Sequence, residues 1–484
     1  MFRCSTSLLF QLNCCLCFAL LAFCTSGLSA QSKDLDAIKL AKINPNIPIA
    51  ADFEPQLVTD SGLSIYAGKH LILFSDVRDA DKAYDLVRSY DAAVPQWCEY
   101  FGVDVKQTEG WKLRAFLLQG PNQTERFEQA RLFGKDLPGF AAGYQKDHNI
   151  YLYDQPGSYY TRHLLLHEGT HAFMQWFLNG YGAPWFSEGI AELLAVHQGS
   201  QKNVKLKHRL ASRDDAPYWG RVKLIKDEYK AGVGMTLDDV LAIPGQAFRD
   251  VRYYAWSWAG CNFFDNHPLT QEAFNALKQS AAEPTETFNA TFKEKIDPHW
   301  EQLVKDWSIF IEEMEYGVEI QRSRIIDAVQ LDKANPENHH YSINAAHGWQ
   351  QTRLNVKAGD RLVIHSSGRF KVGQTIVPAK VASDDLPGAS GEIYPWLSES
   401  NGVTLEYYRG QPLGMLTAGV LFSDPQQEKI KGQLAWTVRP VPAAGPEREI
   451  TIPSDGVLCF RINESPAKLN DNQGALDVRC KRLQ

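Results

Sequence analysis

Two histidines and a glutamate stand close together in the chain, at His167, Glu168 and His171. Histidines four residues apart lie on one face of a helix, one turn apart, so both imidazoles can bind one metal ion. Glu168 is rotated by about a third of a turn from His167, so its carboxylate can reach a water on the metal instead of the metal itself. A general base in metal-assisted hydrolysis requires that position. The pattern therefore predicts a zinc ion, with Glu168 as the catalytic base.

The residues around this pattern favour a buried helix. Three leucines, Leu164 to Leu166, precede His167, and Asn179-Gly180 supplies a helix stop. Two imidazoles and a carboxylate in a buried helix are costly unless they are paired or bind a metal ion. This context makes a metal site a better explanation than a chance occurrence of the five residues.

A third zinc ligand is expected in the run from Pro184 to Leu194. Sixteen residues separate His171 from Glu188, which is enough to end one helix, turn and begin an antiparallel second helix. Glu188 is predicted as the third ligand. Glu192, one turn further along the same face, is predicted to accept a hydrogen bond from a ligand histidine. The reverse assignment of these two glutamates remains open, and two histidines with one glutamate leave the fourth position of a catalytic zinc site free.

The two motifs together resemble a peptidase family. HExxH followed by Trp-Phe-Ser-Glu-Gly-Ile-Ala-Glu, residues 185–192, is similar to the thermolysin-like gluzincins, and within them to the secreted peptidase-MA-like group. The resemblance is strong over about 30 residues. It implies a zincin-like α+β fold with zinc on His167, His171 and Glu188. It also implies that the strand Asn149–Tyr153 lines the cleft and pairs with peptide substrate. A metzincin site is excluded, because it would need glycine at Met174 and histidine at Phe177.

Further side chains could contribute to this site. By analogy with the gluzincins, Tyr253 or Tyr254 could donate a hydrogen bond to the oxyanion of the tetrahedral intermediate. The alternative, that both tyrosines are core aromatics, stays open. His163 lies one turn before His167 and is expected to be a buried supporting histidine rather than a ligand.

A second group of oxygen-bearing side chains lies near the C-terminus. Asn463, Glu464, Asp471 and Asn472 flank a loop ahead of a strand, and such hard oxygen ligands suit Ca²⁺. The segment resembles the calcium loop of PA-I-type galactose-binding lectins, with Glu464 in place of the usual aspartate. The resemblance implies calcium and carbohydrate binding, and an Asn/Asp-rich turn is the alternative.

Hydrophobic periodicity predicts the elements that position these residues. Strands are expected at 70–74 and 112–118 around a helix at 78–101, and a hairpin at 139–153. Helical spacing prevails over 159–325, and short strands broken by glycine and proline follow from Trp349. The predicted organisation is a signal peptide (1–30), an arm or linker (31–60), an α+β catalytic domain (61–330), a linker (331–345) and an all-β sandwich (346–484).

Composition limits the classes of partner. The 484 residues are 44% hydrophobic and 22% charged, with a net charge of −7. No broad basic surface is expected, so nucleic acid is an unsuitable partner. The N-terminal segment has the charge, apolar stretch and small residues of a secretory signal. No other segment reaches membrane length. The mature protein is therefore expected to be secreted or periplasmic, free of the membrane.

Four cysteines remain after the predicted signal peptide, at positions 98, 261, 459 and 480. In an oxidising compartment Cys459 and Cys480 could form a disulfide across a strand pair, and four buried free thiols are the alternative.

The leading hypothesis is an exported zinc peptidase acting on peptides or proteins, with a β domain that binds carbohydrate or glycoprotein. The alternative is a secreted carbohydrate-binding protein with an inactive peptidase-like domain. Retention of Glu168 favours the first, since metal binding alone does not need this base.

Overall fold

The computed structural model describes residues 53–483, except residues 122 and 444 and the segments 134–138, 336–337, 378–391 and 424–435. The predicted signal peptide and the first part of the predicted arm lie outside the described residues. Within the arm, Pro55–Asp60 forms a short helix (α1). A proline in the first helical turn costs no hydrogen bond, because the first N–H groups of a helix have no internal partner.

The first sheet contains five strands: β1 (Ser64–Ala67), β2 (Leu71–Ser75), β3 (Leu113–Leu118), β4 (Gly143–Lys146) and β5 (Asn149–Tyr153). Their order is β1-β2-β3-β5-β4. Strands β2, β3 and β5 are parallel, and β1 and β4 are antiparallel edges. Helix α2 (Ala80–Phe101) connects β2 to β3, and a short α3 (Glu125–Gln129) follows β3. The predicted strand–helix–strand unit and hairpin are confirmed.

The edge of this sheet differs from the expectation that Asn149–Tyr153 lines the cleft and pairs with peptide substrate. That segment, β5, lies between β3 and β4, with hydrogen-bonding partners on both sides. The shorter, less apolar β4 occupies the edge. The hairpin turn places the earlier strand outside the later one, so the edge available to a substrate belongs to residues 143–146.

A mainly helical region follows the sheet, as predicted. It comprises α4 (Ser158–Phe177), α5 (Pro184–Ala195), α6 (Arg221–Lys230), α7 (Leu237–Leu241), α8 (Val251–Asn266), α9 (Gln271–Leu277), α10 (Thr285–Ile296), α11 (Trp300–Glu312) and α12 (Ile320–Ser323). A small two-stranded sheet of β6 (His197–Gln198) and β7 (Lys205–Leu206) follows α5.

Two glycines within the sequence motifs permit close helix packing. A Cβ on Gly169 would lie 2.7 Å from atoms of Tyr90 and of Trp97 in α2. A Cβ on Gly189 would lie 2.4 Å from the backbone oxygen of Ser257 in α8. Helices α4 and α5 therefore approach their neighbours at distances that a larger residue would not allow.

The C-terminal part is all β, which agrees with the coarse α+β plus β prediction. Two sheets share one apolar core. The strands are β8 (Ile326–Asp327), β9 (Val329–Gln330), β10 (His340–Asn344), β11 (Gln350–Val356), β12 (Arg361–Ser367), β13 (Phe370–Val377), β14 (Glu392–Ser398), β15 (Asn401–Tyr408), β16 (Gln411–Ser423), β17 (Trp436–Pro442), β18 (Glu447–Thr451), β19 (Gly456–Ile462) and β20 (Ala475–Arg482). One sheet has the order β18-β12-β20-β10-β9 and the other β15-β16-β19-β11-β8, with β17 paired to β16. Strands β13 and β14 form an antiparallel pair.

Two details of this part differ from expectation. The predicted linker at 331–345 contains the strand β10, which pairs with β20 through all of its five residues. Only Tyr341 and Ile343 of β10 are buried, so its apolar signal is too short to find by periodicity. Cys459 and Cys480 lie in different sheets, on β19 and β20, and both are buried free thiols. The free-thiol alternative therefore holds.

The helical region and the sandwich meet through a small apolar cluster. Ile309 of α11 packs in it with Trp349, Leu421, Val438 and Cys459 of the β strands and their connections. The described residues belong to one compact unit. Among them, no helix has the length and apolar character needed to cross a lipid bilayer.

Candidate metal centre

Helix α4 and helix α5 place their histidines and glutamates against each other. The residues of α4 from Thr161 to Met174 are buried, so His167 and His171 project from a helix that is packed on nearly all sides. Helix α5 begins at Pro184, and Glu188 follows about one turn later. The loop between the two helices packs against the segment that follows α9, where the Gly182 N–H donates a hydrogen bond to the carbonyl of Ala281.

Three donor atoms converge between these helices. His167 Nε2 lies 3.2 Å from His171 Nε2 and 3.2 Å from Glu188 Oε2, and His171 Nε2 lies 3.3 Å from the same oxygen. Tetrahedral zinc with bonds of ~2.0–2.1 Å requires its ligand atoms to be roughly 3.3–3.4 Å apart. The three side chains therefore fit a zinc ion in both chemistry and spacing.

The two glutamates of α5 differ in exposure and in partners. The side chain of Glu188 is 22% exposed, whereas that of Glu192 is 3% exposed. Burial acts to raise the pKa of Glu188, but His171 and His167 outweigh it and hold the pKa at about 2. Burial also opposes ionisation of Glu192, and Arg221 brings its pKa well below the usual range. Glu188 thus faces the accessible side of the site, and Glu192 lies behind it.

A second set of three side chains overlaps the first. Within the described residues, His163, His167 and Glu192 also bring one donor atom each within 4.8 Å of one another. The guanidinium of Arg221 is bonded to Glu192 at 3.0 Å, so a metal cation at this second position would lie beside a fixed positive charge. His163 Nδ1 lies 3.1 Å from the carbonyl oxygen of Ala195. The electrostatics therefore favour the set of His167, His171 and Glu188.

Each candidate ligand histidine has a partner at its other ring nitrogen. His171 Nδ1 lies 3.2 Å from Ser187 Oγ. His167 Nδ1 lies 3.6 Å from Glu192 Oε1. This distance is slightly longer than a hydrogen bond, but the carboxylate lies on the side from which an orienting group would act.

Glu168 is buried on the side of α4 that faces the first sheet. The backbone N–H of Gln145, on edge strand β4, donates to its carboxylate. Burial raises the pKa of Glu168 to about 7, which is close to the ideal value for a general base at neutral pH. A Cβ on Gly143 would lie only 2.7 Å from Glu168 Oε1, so β4 approaches the carboxylate closely because this residue is glycine.

The structure separates the two tyrosines predicted as oxyanion donors. The ring of Tyr254 lies 6.0 Å from that of His167, and its hydroxyl donates to the carbonyl of Phe248. Tyr253 lies instead beside the guanidinium of Arg252, 5.3 Å from its ring centroid. Tyr254 is therefore the better candidate of the two. Burial raises the pKa of Tyr254 above its ordinary value, so the phenol stays protonated at neutral pH.

Tyr181, Trp219 and Arg221 also surround the site and were not predicted from the sequence. The ring of Tyr181 lies 6.1 Å from that of His171. Its hydroxyl lies 3.0 Å from Gln175 Oε1 and 3.2 Å from Gln145 Oε1, either of which can accept its proton. Trp219 and Arg221 both bind Glu192. One signal was available for Arg221, which lies four residues before the apolar Ile225 on the buried face of α6. A charged residue on such a face needs a buried partner.

The candidate calcium residues are only partly brought together. Glu464 and Asp471 line one cavity of about 370 Å³, and burial raises the pKa of Glu464 to about 7, with Asp471 adding to the effect. Asp471 Oδ1 and Asn472 Oδ1 are buried and have no hydrogen-bond partner within the described residues. Asn463 has a structural role, since its amide nitrogen contacts three backbone carbonyls between Tyr408 and Pro412.

Comparison with known proteins gives partial likenesses among solved structures alone. No protein-family model and no curated protein matches the sequence. Among solved structures, one described as "EclA N-terminal domain; PllA-like lectin" matches 30% of this chain and 99% of its own length. The identity is 18% and the TM-score 0.19.

Proposed function

We propose that this protein is an exported zinc-dependent peptidase of the gluzincin type. The observation that supports it best is the triangle of donor atoms from His167, His171 and Glu188, with sides of 3.2–3.3 Å. Glu168 lies next to this triangle in sequence but outside it, and a purely structural zinc site has no use for such a carboxylate. A zincin-like arrangement of sheet, α4 and α5 follows from the same proposal.

The residues around the triangle have distinct roles in peptide hydrolysis. A zinc ion held there supplies Lewis acidity toward a scissile carbonyl and toward water. Glu168 accepts the proton of the attacking water and delivers it to the leaving amine. In the described part of the chain, edge strand β4 pairs on one side only, and an extended peptide would align along its other side. Tyr254, whose ring lies 6.0 Å from that of His167, would stabilise the developing oxyanion once its hydroxyl leaves the carbonyl of Phe248.

Zinc content and peptide hydrolysis test this proposal together. Wild type, Glu168→Gln and the exposed control Glu294→Gln are compared by elemental analysis and on a peptide library. We expect all three to retain stoichiometric zinc and only Glu168→Gln to lose activity, by about 10²–10⁴-fold. If all bind zinc and none cleaves any peptide, the peptidase proposal fails. If wild type carries no stoichiometric metal, the site assignment itself is wrong.

A second candidate function, calcium-dependent carbohydrate binding by the β sandwich, rests on the loop at 463–472. Asp471 and Asn472 each have a buried side-chain oxygen without a hydrogen-bond partner among the described residues. Asp471 also shares a cavity with Glu464, whose carboxyl group is buried. Buried polar atoms normally have a partner, and Ca²⁺ accepts this type of ligand. If this loop binds Ca²⁺ and carbohydrate, it would support the alternative function, a secreted carbohydrate-binding protein whose peptidase-like domain is inactive.

Calorimetry with Ca²⁺ tests the second candidate. We expect heat of binding and a raised melting temperature for wild type and for Asp477→Ala, which changes an exposed aspartate of the same domain. Asp471→Ala should show neither effect. Binding should strengthen between pH 6 and pH 8, because Glu464 must lose its proton before it can act as a ligand. Absence of both heat and melting shift in wild type would exclude the calcium site.

A further inference from the structure

Glu192 is held by a set of donors on the side away from the metal ligands. Arg221 NH2 donates to its Oε1 at 3.0 Å, and Arg221 Nε donates to its Oε2 at 3.2 Å. Trp219 Nε1 donates to the same Oε2 at 2.9 Å. Two parallel bonds from a guanidinium fix both the position and the plane of a carboxylate.

The opposite side of this carboxylate faces two imidazoles. Its Oε1 lies 3.6 Å from His167 Nδ1, and its Oε2 lies 3.5 Å from His163 Nε2. Glu192 therefore connects Arg221 to a candidate zinc ligand through one fixed group. The orientation of a metal-bound imidazole depends on the partner at its other nitrogen.

Arg221 is itself held firmly. It is the first residue of α6 and is 7% exposed. Its side chain also interacts with the hydroxyl of Tyr160 on α4. Trp219 packs edge-on against Trp258 of α8, with ring centroids 4.8 Å apart. Tyr160 of α4 and Glu192 of α5 thus contact the guanidinium that α6 carries, while α8 supports Trp219, the other donor to Glu192.

Stability alone is a weak explanation for this buried ion pair. Removing two charges from water is costly, and well-packed apolar residues often replace such pairs without loss of stability. A pair that abuts a metal ligand has a second use, because it can keep an anion at a defined place beside the imidazole.

We propose that Arg221 is a positioning residue for the metal centre. Its guanidinium holds Glu192 against His167 Nδ1, which keeps the proton on that nitrogen and aims the Nε2 lone pair at His171 and Glu188. The proposal rests on the zinc site described above and assigns to Arg221 a role that depends on no contact with substrate.

Zinc affinity measured by competition with a chelator tests this role. The variant is Arg221→Lys, which keeps the charge but cannot make two parallel bonds. The matched control is Arg162→Lys on α4. Arg162 is also 7% exposed and pairs with a carboxylate, Asp85, away from Glu192. We expect zinc affinity to fall by about 10–100-fold in Arg221→Lys and to stay at the wild-type value in Arg162→Lys. In peptide hydrolysis, kcat should fall with little change in KM.

Glu192→Gln covers the case in which Arg221→Lys does not fold, and it should show the same loss of zinc affinity. A folded Arg221→Lys with wild-type affinity would overturn the positioning role, as would a folded Glu192→Gln with wild-type affinity. Equal losses in both arginine variants would also overturn it, since the effect would then be general destabilisation. Wild type without zinc would instead refute the proposed function and the positioning role together.

Discussion

At the scale of single residues, the two glutamates of α5 have different surroundings in spite of their four-residue spacing. Glu188 and Glu192 lie one turn apart on the same face, and the sequence leaves their order open. The structure distinguishes them, since Glu188 contacts both Nε2 atoms whereas Glu192 lies behind His167 with Arg221 and Trp219. A direct ligand and an orienting carboxylate should differ in how much metal affinity each contributes.

This difference can be measured with Glu188→Ala and Glu192→Gln. We expect Glu188→Ala to weaken zinc binding by more than the roughly 10–100-fold typical of an orienting carboxylate, because it removes one of three donor atoms. Glu192→Gln should remain within that range, and Glu168→Gln should retain the wild-type affinity. Chelator competition supplies the three values. A larger loss in Glu192→Gln than in Glu188→Ala would reverse the assignment.

At the scale of elements, the approach of strand β4 to helix α4 places the candidate base. Gln145 N–H holds the Glu168 carboxylate, and Gly143 leaves the space that the carboxylate occupies. This edge strand therefore has two roles in the proposed mechanism, binding an extended peptide and positioning the proton acceptor.

Replacement of Gly143 by alanine tests this placement. The added Cβ would lie 2.7 Å from Glu168 Oε1, so the carboxylate must move. Since a displacement of about 1 Å can cost about 10²-fold in rate, we expect a comparable fall in kcat with zinc content unchanged. Gly120→Ala is the control, because its Cβ would meet nothing within 4 Å. Equal activity of the two variants would show that β4 does not position the base.

Local sequence predicts those elements whose signals are contained within them. Helix α4 and the hairpin at 143–153 follow from periodicity and turn residues, and the spacing of His167 and His171 follows from the helix itself. Tyr181 and Gly143 reach the site through packing between segments, so no local pattern reveals them. Arg221 gives only one weak signal, a charged residue on the buried face of α6. Strand β10 is also not predictable from its own sequence, because only two of its residues are buried. Two buried residues are too few to show the alternation of apolar and polar residues that is typical of a strand.

At the scale of the whole molecule, the helical region and the sandwich are joined through the end of α11. Glu312 accepts hydrogen bonds from Thr437 Oγ1 on β17 at 3.0 and 3.2 Å. Its neighbour Glu313 accepts from Trp349 Nε1 and pairs with Arg461. Burial, followed by the charge of Glu313, raises the pKa of Glu312 to about 7. A carboxyl group with this pKa makes the junction sensitive to pH.

The sign of the effect follows from proton binding in the two states. Unfolded, Glu312 ionises near its usual pKa of 4.5, whereas in the folded protein it keeps its proton up to about pH 7. The folded state therefore binds more protons between pH 4.5 and 7, and its stability falls as pH rises through this window.

Glu312→Gln removes the effect, so at pH 8 we expect it to be more stable than wild type by about 1–3 kcal/mol. Near pH 4 the two proteins should agree. Denaturant unfolding at several pH values measures the difference, with Glu301→Gln, an exposed position of the same helix, expected to stay within about 0.5 kcal/mol of wild type throughout. A constant difference between Glu312→Gln and wild type at all pH values would mean that Glu312 does not hold a proton at the junction.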